Sequence, residues 1–135
     1  MPLKIYFAAP LFCDMELKRN EEECAKLEEA GYDVYLPQRD AGEAAAGAPR
    51  KQLFNNDVTA VSTSDVVIAY LDGRVPDEGT AFEMGLAFAY RKTLIAVITD
   101  RRCFMDTHLN VMLEYSPIKF FYNTEDAIKW LTTQR

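Results

Sequence analysis

The sequence predicts an α/β fold in which helices cover both faces of a five-stranded parallel sheet. Five short apolar runs of strand length alternate with longer segments whose apolar residues recur at helical spacing. The chain has 135 residues, 49% of them hydrophobic, which is enough for one compact domain with a substantial core. Because this alternation is typical of doubly wound folds, we expect a single flavodoxin-like or Rossmann-like domain over residues 1–135.

The first half of the chain is expected to form two strands and two helices. A helix with Leu17, Cys24 and Leu27 on one stripe is predicted to begin with Asp14 as its N-cap and to end at Gly31. The other predicted elements are strands at residues 3–8 and 32–36, a loop at 37–48 and a helix at 50–63. The loop is rich in small residues, and we expect it to be mobile and able to close over a ligand.

The second half is expected to add three strands and two helices. The predicted strands lie at residues 65–71, 93–99 and 118–122, and the predicted helices at 80–91 and 125–131. Residues 100–117 show no clear period, so an irregular segment is expected there. Together these elements complete the alternating pattern of a parallel sheet.

Charge and composition disfavour several classes of function. Fifteen basic and 21 acidic side chains give a net charge of −6, which argues against binding to nucleic acid or to an anionic membrane. The apolar runs are too short to span a bilayer and no secretion signal is visible, so we expect a cytoplasmic protein. Cys13, Cys24, Cys103 and the one histidine, His108, form no metal-ligand pattern, and we predict no metal site.

The run at residues 76–85 is the most informative stretch for function. Asp77 and Glu83 stand six residues apart on a turn that leads from a predicted strand into a helix, at the sheet edge where open α/β folds bind ligands. Gly79 would let a ligand approach the backbone. Asp77 could equally be a solvated acid on an exposed turn, and Thr80 with Glu83 fits a capping box. A carboxylate in the first helical turn would also be kept ionised, as a nucleophile requires.

Two further residues are candidates for the same site. Asp57 lies four residues after Leu53 and four before Val61, so it falls partly within the apolar stripe of its helix. Burial would raise the pKa of Asp57 and suit a general acid, although a structural aspartate bonded to a backbone amide explains the position equally well. Tyr6 near the end of the first strand could position a carboxylate, or could simply pack.

These positions taken together resemble the nucleoside 2-deoxyribosyltransferase family. The resemblance is carried by four segments: residues 4–10 (KIYFAAP), 55–57 (NND), 76–85 (PDEGTAFEMG) and 109–113 (LNVML). It implies exchange of nucleobases on 2'-deoxyribonucleosides, with free purine and pyrimidine bases as the other substrates. It also implies retention of configuration at the anomeric carbon, without a cofactor.

The resemblance also implies a role for each candidate residue. Glu83 would be the nucleophile that forms a covalent deoxyribosyl ester, Asp57 would move the proton, and Tyr6 would orient Glu83. Asp77 would hydrogen-bond the substrate beside Gly79. Asn110 and Met112 match residues that reach into a neighbouring subunit's pocket in the family, so a homo-oligomer, a dimer or a hexamer, is expected.

Two other classes of function remain as alternatives: a related hydrolase and a non-catalytic module. A deoxynucleoside 5'-monophosphate N-glycosidase would need a phosphate cradle after the first strand, whereas residues 10–14 are apolar and then acidic. A receiver-type module would need an acidic pair after that strand, where Ala8 and Ala9 stand instead. A module that only binds nucleosides stays open, and turnover would distinguish it from an enzyme.

Overall fold

A parallel sheet organises the chain in the computed structural model, which describes residues 1–42, 49–100 and 109–134. The strands are β1 (Lys4–Ala8), β2 (Asp33–Tyr35), β3 (Val66–Tyr70), β4 (Thr93–Val97) and β5 (Lys119–Phe121). They pair in the order β2-β1-β3-β4-β5, and every pairing is parallel. This is the flavodoxin-like strand order, so the predicted α/β doubly wound class is confirmed.

Six helices connect and cover the strands in the described part of the chain. They are α1 (Asp14–Glu29), α2 (Pro37–Asp40), α3 (Arg50–Thr63), α4 (Glu78–Ala89), α5 (Val111–Tyr115) and α6 (Thr124–Thr133). Within the described ranges, none of these helices has the length and apolar character needed to cross a bilayer.

The sheet separates two apolar cores because side chains of a strand alternate between its faces. On one face Ile5 and Phe7 of β1 pack in a cluster with Leu27 of α1 and Leu131 of α6. On the other face Tyr6 belongs to a cluster that includes residues of α3 and α4. The central strand β3 is buried along its whole length, as a parallel strand covered on both faces must be. Because Tyr6 lies on the second of these faces, its side chain is directed toward α3 and α4.

The start of α1 differs from the prediction. Cys13, not Asp14, is the N-cap: its backbone is extended, and helical geometry begins at Asp14. Glu16 in the first turn accepts a hydrogen bond from the Phe12 amide at 2.9 Å, and the Cys13 side chain makes no capping hydrogen bond. The helix therefore begins one residue earlier than its sequence pattern suggested.

Two segments predicted to be irregular contain short helices. Residues 37–40 form α2, which begins with Pro37 at a position where proline is favoured, and residues 111–115 form α5. Both are too short to display an apolar period, so they could not be predicted from sequence patterns. The rest of the predicted loop at residues 43–48, and Cys103 and His108, lie outside the described residues.

Candidate active site

A buried tyrosine of β1 holds a glutamate of α4. Tyr6 is 0% exposed, and its hydroxyl donates a hydrogen bond to Oε2 of Glu83. Tyr6 was expected to lie at the end of the first strand, but it is the third residue of β1. Its contact with Glu83 therefore forms over the face of the sheet and not at its edge. Glu83 is reached because its helix crosses that face of the sheet.

A second tyrosine holds the aspartate of α3 in the same way. The Tyr35 hydroxyl donates to Oδ1 of Asp57 at 3.2 Å. Tyr35 is the register partner of Tyr6 in the neighbouring strand, and their rings stack with centroids 5.4 Å apart and planes 14° from parallel. Tyr35 was not among the candidate residues predicted from the sequence. Its alternation with buried Val34 was the available signal, but that signal does not identify a hydrogen-bond partner.

Asp57 and Glu83 line one cavity of about 300 Å³. Gly79 lines it as well, and the remaining lining residues are apolar: Phe54, Val58, Phe82 and Leu86. The rings of Phe54 and Phe82 lie 6.2 Å apart, and both side chains are 54% exposed. The cavity therefore combines two carboxyl groups with an open aromatic rim, and this rim was not predicted from the sequence.

Burial raises the pKa of Glu83 to about 8. The hydrogen bond from Tyr6 favours the ionised form and so works against this shift, whereas the negative charges of Asp57 and Asp77 add to it. This corrects the expectation that the helix start keeps Glu83 ionised. Since α4 begins at Glu78, Glu83 lies in its second turn, beyond the strongest influence of the helix end.

Burial also raises the pKa of Asp57, and the hydrogen bond from Tyr35 opposes the shift. The direction agrees with the prediction for a buried acid within the apolar stripe of α3. Two explanations were open for Asp57: a buried general acid, and a structural aspartate bonded to a backbone amide. The structure shows a tyrosine hydroxyl as its hydrogen-bond partner. Two carboxyl groups with raised pKa values in one cavity can share a proton, which leaves one to attack and the other to donate.

Asp77 caps α4. Its Oδ2 accepts from the Thr80 amide at 2.8 Å and from the Thr80 hydroxyl at 3.1 Å. The capping box suggested for Thr80 and Glu83 is therefore wrong, and Glu83 is left to face the cavity. A Cβ on Gly79 would stand 3.1 Å from Oδ2 of Asp77, so the glycine also gives the capping carboxylate its room.

Asn110 and Met112 lie apart from this cavity. Asn110 caps α5 by accepting a hydrogen bond from the Met112 amide at 2.9 Å. Met112 is 74% exposed and lines a second, apolar cavity of about 240 Å³ that lies against Phe88 of α4. The structure of one chain thus does not bring these two residues to Asp57 and Glu83.

A metal ion has no evident place in this arrangement. In the ranges that the structure describes, no three or more His, Cys, Asp or Glu side chains are grouped to hold one. The chemistry available at the cavity is that of carboxyl and phenol groups.

Fold and cavity together define a flavodoxin-like α/β protein with a carboxyl pair between α3 and α4. The family model described as nucleoside 2-deoxyribosyltransferase matches residues 5–124, which include all of these residues. The chain belongs to the nucleoside 2-deoxyribosyltransferase family, which is a family of enzymes.

Individual relatives agree with this assignment. A nucleoside deoxyribosyltransferase from Limosilactobacillus fermentum is 32% identical over 79 residues, which cover 50% of this chain and 47% of that protein. The chain thus spans about half the length of the curated relative that it matches. The crystal structure of a conserved protein from Enterococcus faecalis V583 has a TM-score of 0.83 at 26% identity, with 100% of both chains covered. A 2-deoxyribosyltransferase from Bacillus psychrosaccharolyticus shares the fold, with a TM-score of 0.80 at 24% identity and 93% and 90% of the two chains covered.

Proposed function

We propose that this protein transfers 2-deoxyribose between nucleobases by a retaining double displacement through a covalent deoxyribosyl-glutamate. The observation that carries the proposal is the placement of Glu83 and Asp57 in one cavity, each with a tyrosine hydroxyl as partner. Retaining cleavage of a glycosidic bond needs a carboxylate nucleophile and a proton donor near the leaving group. Membership of the family supports the same reaction.

In the first half-reaction, an oxygen of ionised Glu83 attacks the anomeric carbon of the deoxynucleoside. As the new C–O bond forms, the C–N bond breaks, and its electron pair leaves with the base. The proton of Asp57 passes to a ring nitrogen of that base, so Asp57 becomes ionised and the sugar becomes an ester of Glu83. In the second half-reaction the incoming base loses its proton to Asp57 and displaces Glu83, which restores both groups.

Burial raises both pKa values, that of Glu83 to about 8, so near neutral pH Glu83 itself is protonated and the reaction requires this proton to move to Asp57. The productive state has one proton on the carboxyl pair, held by Asp57 while Glu83 is ionised. The hydrogen bond from Tyr6 favours ionised Glu83, which supports the proposal that Tyr6 orients and activates the nucleophile. Asp77 is proposed to bind the substrate through its second oxygen, since Oδ2 is used by the helix cap. Gly79 is proposed to let the sugar approach the backbone.

We further propose that Asn110 and Met112 serve the site of a neighbouring copy in a homo-oligomer. Met112 lies on an exposed apolar surface and borders a different cavity within its own chain, and Asn110 caps the short helix that carries it. An exposed patch of this kind is typical of an interface between subunits. The substrates would then be 2'-deoxyribonucleosides and free bases, held between two chains.

Hydrolysis of deoxynucleoside 5'-monophosphates is the second candidate function, and one observation weighs against it. A phosphate cradle is expected where β1 meets α1. There the Phe12 amide already donates to Glu16, and Asp14 and Glu16 place two acids in the first turn of α1. Those charges would repel a phosphate.

Exchange between thymidine and adenine is the direct test. Purified protein should convert this pair into deoxyadenosine and thymine, and denatured protein sampled after mixing with thymidine alone should carry one deoxyribosyl group on Glu83 by mass spectrometry. Glu83→Ala should lose both signals. Glu78→Gln, which alters an exposed acid one turn earlier on the same helix, should keep them. Exchange that persists in Glu83→Ala would mean that another residue is the nucleophile.

A further inference from the structure

We infer that Tyr35 is a positioning residue for the proton transfer, acting through Asp57 and forming with Tyr6 a stacked pair in which each hydroxyl serves one carboxyl group. This inference rests on the proposed function, because it assigns a role within the same reaction. It adds to the site a residue that the sequence did not single out.

The geometry of the pair follows from the register of two strands. Tyr6 of β1 and Tyr35 of β2 are register partners, so both rings leave the sheet on the same face and stack 5.4 Å apart. From this shared base the hydroxyl of Tyr6 reaches Glu83 on α4, and the hydroxyl of Tyr35 reaches Asp57 on α3. The stack thus fixes the two carboxyl groups relative to each other.

The hydrogen bond from Tyr35 has a directional consequence for Asp57. It occupies Oδ1 at 3.2 Å, which leaves Oδ2 to carry the proton and present it to the cavity. A donor to a carboxyl oxygen also favours the ionised form, so Tyr35 makes Asp57 a stronger acid than burial alone would allow. A proton donor for a departing base benefits from both effects.

Tyr35 is suited to remain a donor throughout the reaction. Burial and the charge of Asp57 raise its pKa well above the ordinary value, and Asp40 and Glu83 act in the same direction. The pKa of Tyr6 is raised by burial and by Glu83, Asp57 and Tyr35. Because burial and the acids of α3 and α4 oppose ionisation of both phenols, neither tyrosine loses its proton near neutral pH.

Tyr35 acts through Asp57 because it borders a different space from the substrate. It lines a polar cleft of about 510 Å³ with Asn56, Thr59 and Thr63, which lie on another face of α3 from Asp57 and Phe54. Its hydroxyl is therefore placed behind Asp57 as seen from the catalytic cavity.

The test uses Tyr35→Phe, which removes the hydroxyl and keeps the ring for stacking. Transfer from deoxyadenosine should slow by about two- to tenfold, the worth of one such hydrogen bond. The first half-reaction, measured as base release in a single turnover, should slow for deoxyadenosine but keep its wild-type rate for 2'-deoxy-7-methylguanosine, whose cationic base leaves as a neutral molecule without a proton. Tyr32→Phe is the matched control, because the Tyr32 hydroxyl lies near Thr132, with an oxygen separation of 3.4 Å, and it should alter neither rate.

A spectroscopic measurement tests the same inference without turnover. The carbon-13 shift of the Asp57 carboxyl group should titrate with a pKa higher by roughly half to one unit in Tyr35→Phe than in the wild type. An unchanged Asp57 pKa, or an equal slowing with both nucleosides, would overturn the positioning role and leave Tyr35 as a packing residue. Absence of exchange by the wild-type protein would instead refute the proposed function, so the two failures are distinguishable.

Discussion

At the scale of single residues, the site is dominated by the cost of keeping acids out of water. Glu83 has a pKa of about 8, well above 4.5, because burial and the charges of Asp57 and Asp77 oppose its ionisation. The folded protein therefore binds a proton at Glu83 that the unfolded chain has already released. The burial of Glu83, the proposed nucleophile, therefore costs stability once the pH is high enough to ionise it.

Glu83→Gln should therefore stabilise the protein, and more so at high pH. A group with a raised acid pKa makes the folded state lose stability as pH rises from about 4.5 to about 8, and a neutral glutamine that still accepts from Tyr6 escapes this loss. The gain in the free energy of unfolding should be roughly 1 to 3 kcal/mol larger at about pH 9 than at about pH 5, measured with urea. Glu78→Gln serves as control, and a gain that did not depend on pH would contradict the argument.

At the scale of secondary-structure elements, the position where α4 begins makes Asp77 the capping acid and leaves Glu83 to line the cavity. The helix begins at Glu78, two residues earlier than predicted, because Asp77 takes the capping position. Asp77 therefore has a structural duty as well as its proposed contact with substrate. A side chain at Gly79 would place its Cβ 3.1 Å from the capping oxygen Oδ2 of Asp77, so the carboxylate would have to shift to make room.

Two substitutions of Asp77 should separate these duties. Asp77→Ala should lower the free energy of unfolding by about 1 kcal/mol through loss of the cap, and should also impair exchange. Asp77→Asn should restore the stability, because asparagine caps as well as aspartate, but not the KM for the deoxynucleoside. Urea denaturation and steady-state kinetics measure the two effects. Full recovery of KM in Asp77→Asn would show that the carboxylate charge has no part in substrate binding.

The elements also show what the sequence could and could not predict. Strands and long helices were predicted because their apolar periods span many residues, whereas α2 and α5 are too short to have one. The sequence segments at residues 55–57 and 76–85 identified Asp57 and Glu83 as candidate site residues. They could not reveal Tyr35 as a partner, because that contact joins β2 to α3 across 22 positions and depends on how the helix packs on the sheet. The pKa of Glu83 depends on burial and on the nearby charges of Asp57 and Asp77, which arise only when the helices pack on the sheet.

At the scale of the whole molecule, an apolar surface beside α5 remains unexplained by the single chain. Phe88, Val111, Met112 and Tyr115 are 63%, 62%, 74% and 77% exposed and border one apolar cavity. Exposed side chains of this size, grouped together, are costly unless another surface covers them. The proposed homo-oligomer gives them a partner and brings Met112 near a second site.

Met112→Glu should disrupt that assembly. Placing a charge in an apolar interface leaves it unpaired and desolvated, so sedimentation should detect smaller particles, and exchange activity should fall with the loss of the shared site. Met15→Glu, an equally apolar and 82% exposed position on α1, is the matched control and should leave particle size unchanged. A Met112→Glu protein that kept both its size and its activity would refute the interface.

The stacking of Tyr6 on Tyr35 has a consequence for how errors in folding become visible. Side chains of a strand point alternately to opposite faces, so a slip of the edge strand β2 by one residue would turn Tyr35 away from Asp57. Such a misaligned molecule could retain most of its core and yet lack one of the two tyrosine supports. The turnover recovered after refolding would therefore report whether the outermost strand β2 is correctly aligned. Bulk measurements of secondary structure hardly detect such a one-residue slip.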